Sequence, residues 1–125
     1  MGALIMFNLA YLAIGFFAIA AAFGLIVFIQ LACERPTLKP VVILHGLFAV
    51  SGLGLLVTYL VNHYHKNLLI GVIILVLAAL GGLTLLSFDL KKKAPPKLLL
   101  FLHPLAAIIG LIFLVWYTFF SACCN

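Results

Sequence analysis

Two histidines, His45 and His103, stand inside long apolar stretches of this 125-residue chain, and they carry the same neighbours. The first lies in Leu44-His45-Gly46-Leu47-Phe48-Ala49-Val50-Ser51-Gly52-Leu53. The second lies in Leu102-His103-Pro104-Leu105-Ala106-Ala107-Ile108-Ile109-Gly110-Leu111. At a constant offset of 58 residues the pairs 44/102, 47/105, 49/107, 52/110 and 53/111 are identical. The register continues through Leu56/Leu114, Val57/Val115 and Tyr59/Tyr117, and backwards to Lys39/Lys97. It also matches Ala20, Ala21, Gly24 and Leu25 with Ala78, Ala79, Gly82 and Leu83. An ionisable group in an apolar span is costly and faces the interior of a bundle. Imidazole is also the commonest metal-ligating side chain. Two at matched positions therefore suggest a shared metal centre.

The elements that must position them follow from composition. With 68% hydrophobic and 7% charged residues, the chain cannot cover a water-facing surface. Its mean hydropathy of +1.43 makes lipid the solvent for most of it. At 13.6 kDa it is one transmembrane domain, residues 1–125. Both carboxylates, Glu34 and Asp89, sit in polar gaps, which argues against enzymes that need a carboxylate pair inside the membrane. Four stretches reach the roughly 20 apolar residues of a membrane-crossing helix: about 3–32, 41–61, 68–88 and 98–120. The loops between them are short, so successive helices are antiparallel neighbours in an all-α, up-down four-helix bundle. The offset makes that bundle a duplicated helical hairpin, 1–62 and 63–125, related by a pseudo-two-fold along the membrane normal. The amino terminus lacks the basic region of a signal peptide, and its apolar run is too long for one.

The net charge of +5 speaks to orientation rather than to nucleic acid. Arg35 and Lys39 lie in the first loop, and Lys91, Lys92, Lys93 and Lys97 in the third; only Lys66 lies on the other side. The positive-inside rule puts loops 33–40 and 89–97 in the cytoplasm and both termini outside. So strong an asymmetry suits a bacterial inner membrane.

In this bundle the second and fourth spans run in one direction, so His45 and His103 lie at one depth. Each is six residues past its matched lysine, about 9 Å into the helix. The two spans are diagonal, about 14 Å apart if neighbouring axes are about 10 Å apart. Imidazoles reaching inward across that gap can grip a six-coordinate metal from opposite sides. Haem fits, because the porphyrin supplies four ligands and leaves two axial positions. Ala49 and Gly52 follow on the His45 stripe, and Ala107 and Gly110 on the His103 stripe. These small residues leave space for a flat macrocycle. Gly24 and Gly82 are candidates for the same part on the other diagonal. Lys39, Lys97 and Arg35 are candidates to meet the propionates. Zinc or copper would want further protein ligands, which are missing at that depth. Two other roles stay open for the histidines: a different metal or a proton path, and a structural bond from each ring to a backbone carbonyl.

Other features are less specific. Cys33, Cys123 and Cys124 have neither a metal-binding nor a C-x-x-C spacing and read as small apolar residues at helix ends. His63 and His65 lie in the outer loop without repeat counterparts; they read as interfacial residues, or as part of a second metal or haem site. Tyr59, Tyr64, Trp116 and Tyr117 read as an aromatic belt. Pro104 bends the fourth span and frees a carbonyl near Leu100.

With inward histidines on two diagonal helices of a four-helix membrane bundle, the chain resembles the membrane-embedded b-type cytochromes. The resemblance covers all four spans, through the repeated Leu-His-x-Leu-x-Ala-x-x-Gly-Leu. It implies one non-covalent haem b per chain, ligated by His45 and His103, and electron exchange with a quinone, a quinol or a redox protein. Larger members often stack two haems with a second histidine pair, which these spans lack. A homodimer is compatible with four thin spans. The competing expectation is a non-enzymatic membrane subunit or a haem- or metal-handling protein. Small multidrug transporters are similar in size but carry a glutamate in the first span, whereas Glu34 lies beyond it. Thiol-oxidising quinone reductases of similar topology need a C-x-x-C pair.

Overall fold

A computed structural model describes the backbone of residues 2–121, and their side chains except those of 3, 6, 7 and 121. Cys123 and Cys124 therefore lie outside the described residues. The described chain forms four helices: α1 (Gly2–Ala32), α2 (Lys39–Asn62), α3 (Lys66–Leu90) and α4 (Lys97–Trp116). All four contain stretches long and apolar enough to cross a membrane, so this is an integral membrane four-helix bundle. The helices overrun the expected spans by up to two residues, because Lys39, Lys66 and Lys97 are taken into their first turns. Past Trp116 the chain widens into a π-helical turn, Tyr117–Ser121, which hydropathy does not signal. In it Thr118 is buried and its hydroxyl donates to the Leu114 carbonyl at 2.8 Å, so no polar group is stranded in the apolar interior.

The repeat is visible in the backbone. α1 ends in a Schellman motif: Glu34 N–H donates to the Leu31 carbonyl and Arg35 N–H to the Gln30 carbonyl. α3 ends in the same motif 58 residues on, with Lys92 donating to Asp89 and Lys93 to Phe88. Glu34 and Lys92 take the left-handed position at φ 55° and 53°, a place that usually falls to glycine. Matched positions thus make matched turns. The opposite connection is shorter, and there the ring nitrogen Nδ1 of His65 caps α3 by accepting from Asn67 N–H at 3.3 Å.

Packing is dense within each hairpin and sparse between them. Glycine makes the dense contacts possible. A Cβ on Gly52 would stand 3.4 Å from the Ala13 carbonyl and 3.3 Å from Phe16 and Phe17 of α1. In the second hairpin a Cβ on Gly110 would meet the Gly71 carbonyl at 3.3 Å and Leu75 at 2.6 Å. Ala13 and Gly71 are repeat mates, as are Phe17 and Leu75, so each hairpin is closed by the same contact. Close backbone approach at small residues is the usual way helices pack in lipid.

The main apolar core lies in the half of the bundle nearer the α2–α3 connection. Leu56, Leu68 and Leu114 are wholly buried, with Tyr59, Val72, Leu75 and Tyr117 around them. Tyr59 and Tyr117 therefore belong to the interior and not to a belt. Each is a full helical stripe from its histidine, and their rings meet edge-on at 6.3 Å. Tyr64 and Trp116, by contrast, are exposed as a belt requires. At the other end the hairpins touch through an edge-on pair, Phe28 with Phe101 at 5.6 Å. They are also tied by Asp89 of α3, which accepts from the Lys39 ammonium and, at 2.7 Å, from the Thr37 hydroxyl.

Candidate functional site

His45 on α2 and His103 on α4 come together where the two hairpins face each other. Their ring centroids are 6.1 Å apart and their planes cross at 86°. The reason lies in how each ring is held within its own hairpin. Nδ1 of His45 is 2.8 Å from the Ala20 carbonyl of α1, and Nδ1 of His103 is 2.8 Å from the Ala78 carbonyl of α3. Both bonds span 25 residues, and Ala20 and Ala78 are repeat mates. A carbonyl can only accept, so each Nδ1 carries the proton. Each Nε2 is left with its lone pair free, the tautomer a metal-binding imidazole needs.

One turn along α1 and α3 from these carbonyls come Gly24 and Gly82, where any Cβ would force the histidine ring to shift. A Cβ on Gly24 would stand 2.8 Å from Cε1 of His45, and one on Gly82 would stand 2.9 Å from Cε1 of His103. A methyl group at either position would therefore displace the ring from where it lies. Each imidazole thus lies in a slot made by an alanine carbonyl and a glycine four residues later. The sequence pairs Gly24 with Gly82, but its expectation that they widen the other diagonal does not describe this role. The signal that could have found it was the common spacing from Ala20 to His45 and from Ala78 to His103.

Both rings open on a cavity of about 120 Å³ between the hairpins. Its small lining residues come as mates: Ala20 with Ala78, Ala21 with Ala79, and Ala49 with Ala107. Phe17, Leu53, Leu75 and Leu111 close it toward the apolar core. Among the described residues no buried side-chain nitrogen or oxygen lacks a partner. The partnerless Nε2 atoms therefore carry accessible surface, and the cavity is what both rings line.

The other expected site residues are divided. Ala49 and Ala107 are at the cavity. Gly52 and Gly110 lie on the same stripes but face α1 and α3, because one heptad farther on the hairpins have closed around Phe16, Phe17 and Leu75. Lys39 is bonded to Asp89 and Thr37. Arg35 and Lys97 are exposed, with no ion pair to either among the described residues. His63 and His65 remain far along the helices from this site. His63 stacks on Tyr59 at 5.0 Å, and His65 packs on Tyr117 at 4.8 Å.

The arrangement can be tested for fit against a metal held by two axial imidazoles. Two metal–nitrogen bonds of about 2 Å, with a ring radius on each side, require centroids about 6 Å apart. The observed separation of 6.1 Å agrees. A cluster of three or more His, Cys, Asp or Glu side chains suited to a metal is absent among the described residues. An ion held here would depend on a cofactor for its remaining ligands. The cavity is smaller than a porphyrin, so the two hairpins, which make few contacts with each other, would have to part to admit one. No family model matches this chain, and neither do any curated proteins or solved structures.

Proposed function

We propose that this protein is a membrane electron carrier that holds one haem b between His45 and His103. The observation that carries the reading is the pair of slots: two imidazoles at a separation suited to one metal, each with its proton committed to an alanine carbonyl. Metal-ligating histidines ordinarily donate their second ring nitrogen in this way, which fixes the tautomer and raises ligand basicity. When bound, the haem would be held by His45 and His103 and would supply a reversible one-electron couple. The chain's part is to orient the rings, exclude water with alanine and leucine walls, and set the potential through those apolar walls. A quinone, a quinol or a redox protein is the exchange partner this reading favours.

The excess of basic residues in loops 33–40 and 89–97 supports reading those loops as cytoplasmic, in a bacterial inner membrane. Propionates would then leave toward that face, where Arg35 and Lys97 carry no counter-ion from the described residues. Lys39 is already neutralised by Asp89, which makes it the weaker candidate.

A second reading draws on the same hydrogen bonds. Each histidine joins the two helices of a hairpin, and a membrane subunit without cofactor could use them for that alone. The two readings part on Nε2, which helix stapling does not use. Purified chain in detergent decides between them through its absorption spectrum, oxidised and dithionite-reduced. The carrier gives sharp reduced α and β bands and about one haem per chain. His45→Ala or His103→Ala each abolishes the low-spin bands, and His63→Ala leaves them intact. Colourless protein from haem-replete cells would sink the carrier reading. Rapid reduction by a quinol would separate a carrier from a haem store.

A further inference from the structure

From the same two slots we infer a site for a bare ion: the haem-free chain binds one copper(I) between Nε2 of His45 and Nε2 of His103, with no third ligand. The inference shares those histidines with the haem reading but does not rest on it. Each Nδ1–H is committed to a carbonyl 2.8 Å away, Ala20 for His45 and Ala78 for His103, so each ring offers Nε2 alone. Two metal–nitrogen bonds of about 2 Å and two ring radii span about 6 Å only when nitrogen, metal and nitrogen lie nearly in line. The centroids are 6.1 Å apart, and bending at the metal would bring them closer.

The surroundings decide which ion is satisfied there. Among the described residues no group of three or more His, Cys, Asp or Glu side chains is placed to hold a metal. Apart from the two histidines, the cavity walls are apolar, so two nitrogens must suffice. Zinc and copper(II) call for further ligands. Copper(I) has a filled d shell, is stable with two collinear imidazoles, and needs nothing more. Charge selects in the same direction. The cost of placing an ion in an apolar medium grows with the square of its charge, so a divalent ion costs about four times as much as a monovalent one. The alanine carbonyls offset part of that single charge, because a bond from Nδ1–H makes each imidazole a stronger donor. Size agrees as well. The cavity of about 120 Å³ takes a bare ion with the hairpins where they stand, whereas a macrocycle has to part them. Copper(I) and haem are then alternative occupants of one site.

Full-length chain from haem-deficient cells, purified anaerobically in detergent, tests this by titration with copper(I) against bicinchoninate. Cys33→Ser, Cys123→Ser and Cys124→Ser are introduced together, so that thiolates take no part. The expected result is one copper(I) per chain withdrawn from the chelator. Its K-edge absorption shows the sharp pre-edge peak of linear two-coordinate copper(I), with nitrogen neighbours. Silver(I) displaces the ion and zinc(II) does not. His45→Ala and His103→Ala each lose the retained equivalent, and His63→Ala keeps it. Copper(I) left on the chelator, a three-coordinate spectrum, displacement by zinc(II), or retention unchanged in both histidine variants overturns the inference. The K-edge spectrum needs no histidine variant, so it decides even where one fails to fold. Chain that shows haem bands when haem-replete but ignores copper(I) sinks this inference alone. Chain that stays colourless in haem-replete cells yet retains copper(I) sinks only the carrier reading.

Discussion

The two ends of the seam between the hairpins are built from repeat mates, yet one is shut and the other open. Toward the α2–α3 connection, Leu56 and Leu114 are wholly buried and Tyr59 meets Tyr117. Toward the basic loops, the mates are His45 with His103 and alanines with alanines, around a cavity. Pseudo-symmetry puts like side chains opposite each other, so residue size alone decides whether a pair fills the space between them. Leucine and tyrosine fill it from both sides. Alanine leaves a gap, and the histidines border that gap. The closed end gives the bundle its core and the open end gives it the cavity on which the proposed function rests.

Making the open end resemble the closed one should have the largest effect. Ala49→Leu combined with Ala107→Leu places two large side chains in the cavity, and haem content should fall from about one per chain to a small fraction. A haemochrome assay normalised to protein measures this. Full loading of the double variant would break the contrast between the ends. Opening the closed end should instead cost stability and spare the site. Leu114→Ala leaves a void that buried leucine positions usually penalise by about 2–5 kcal/mol. The lower end of that range is expected, because in lipid the transfer part of the cost shrinks and the lost packing remains. Denaturant unfolding in detergent reads the change, while haem per chain stays constant.

Smaller effects come from the loops that frame the open end. Glu34→Gly relieves a left-handed non-glycine residue and should raise stability by about 1 kcal/mol, with no spectral change. Asp89→Asn removes the charge pair between the hairpins. The Lys39 side chain is 53% exposed, so screening limits the loss to about 1 kcal/mol or less. A larger loss, measured by thermal unfolding, would mean that this pair, and not packing at the far end, holds the hairpins together.

Much of this was legible in the sequence because the informative residues are rare in it. Four histidines in a chain 68% hydrophobic make a matched pair conspicuous, and the spans follow from hydropathy alone. The assignment of small residues was not legible. Ala49 and Gly52 occupy one helical stripe, yet Ala49 borders the cavity and Gly52 presses on α1, because the distance between hairpins changes along the stripe. Lys39 and Lys97 are equal in the repeat, but among the described residues only Lys39 finds an acid. Asp89 has Leu31 as its repeat mate, so the second lysine has no equivalent anion at the matched position. Tyr59 and Tyr117 looked interfacial by type and depth, and packing at the pseudo-two-fold drew them inside.

The uneven packing also has a consequence for biogenesis. Each hairpin makes its closest contacts with itself, between segments adjacent in the chain, and such local contacts form early. The first hairpin can complete the Ala13–Gly52 closure and the His45–Ala20 bond before the second leaves the ribosome. The second repeats both steps alone. Assembly then ends with two prefabricated halves meeting side by side in the bilayer, each already presenting one aimed ligand. A lipid-dissolved guest could slide between them sideways, without either helix pair unfolding to admit it.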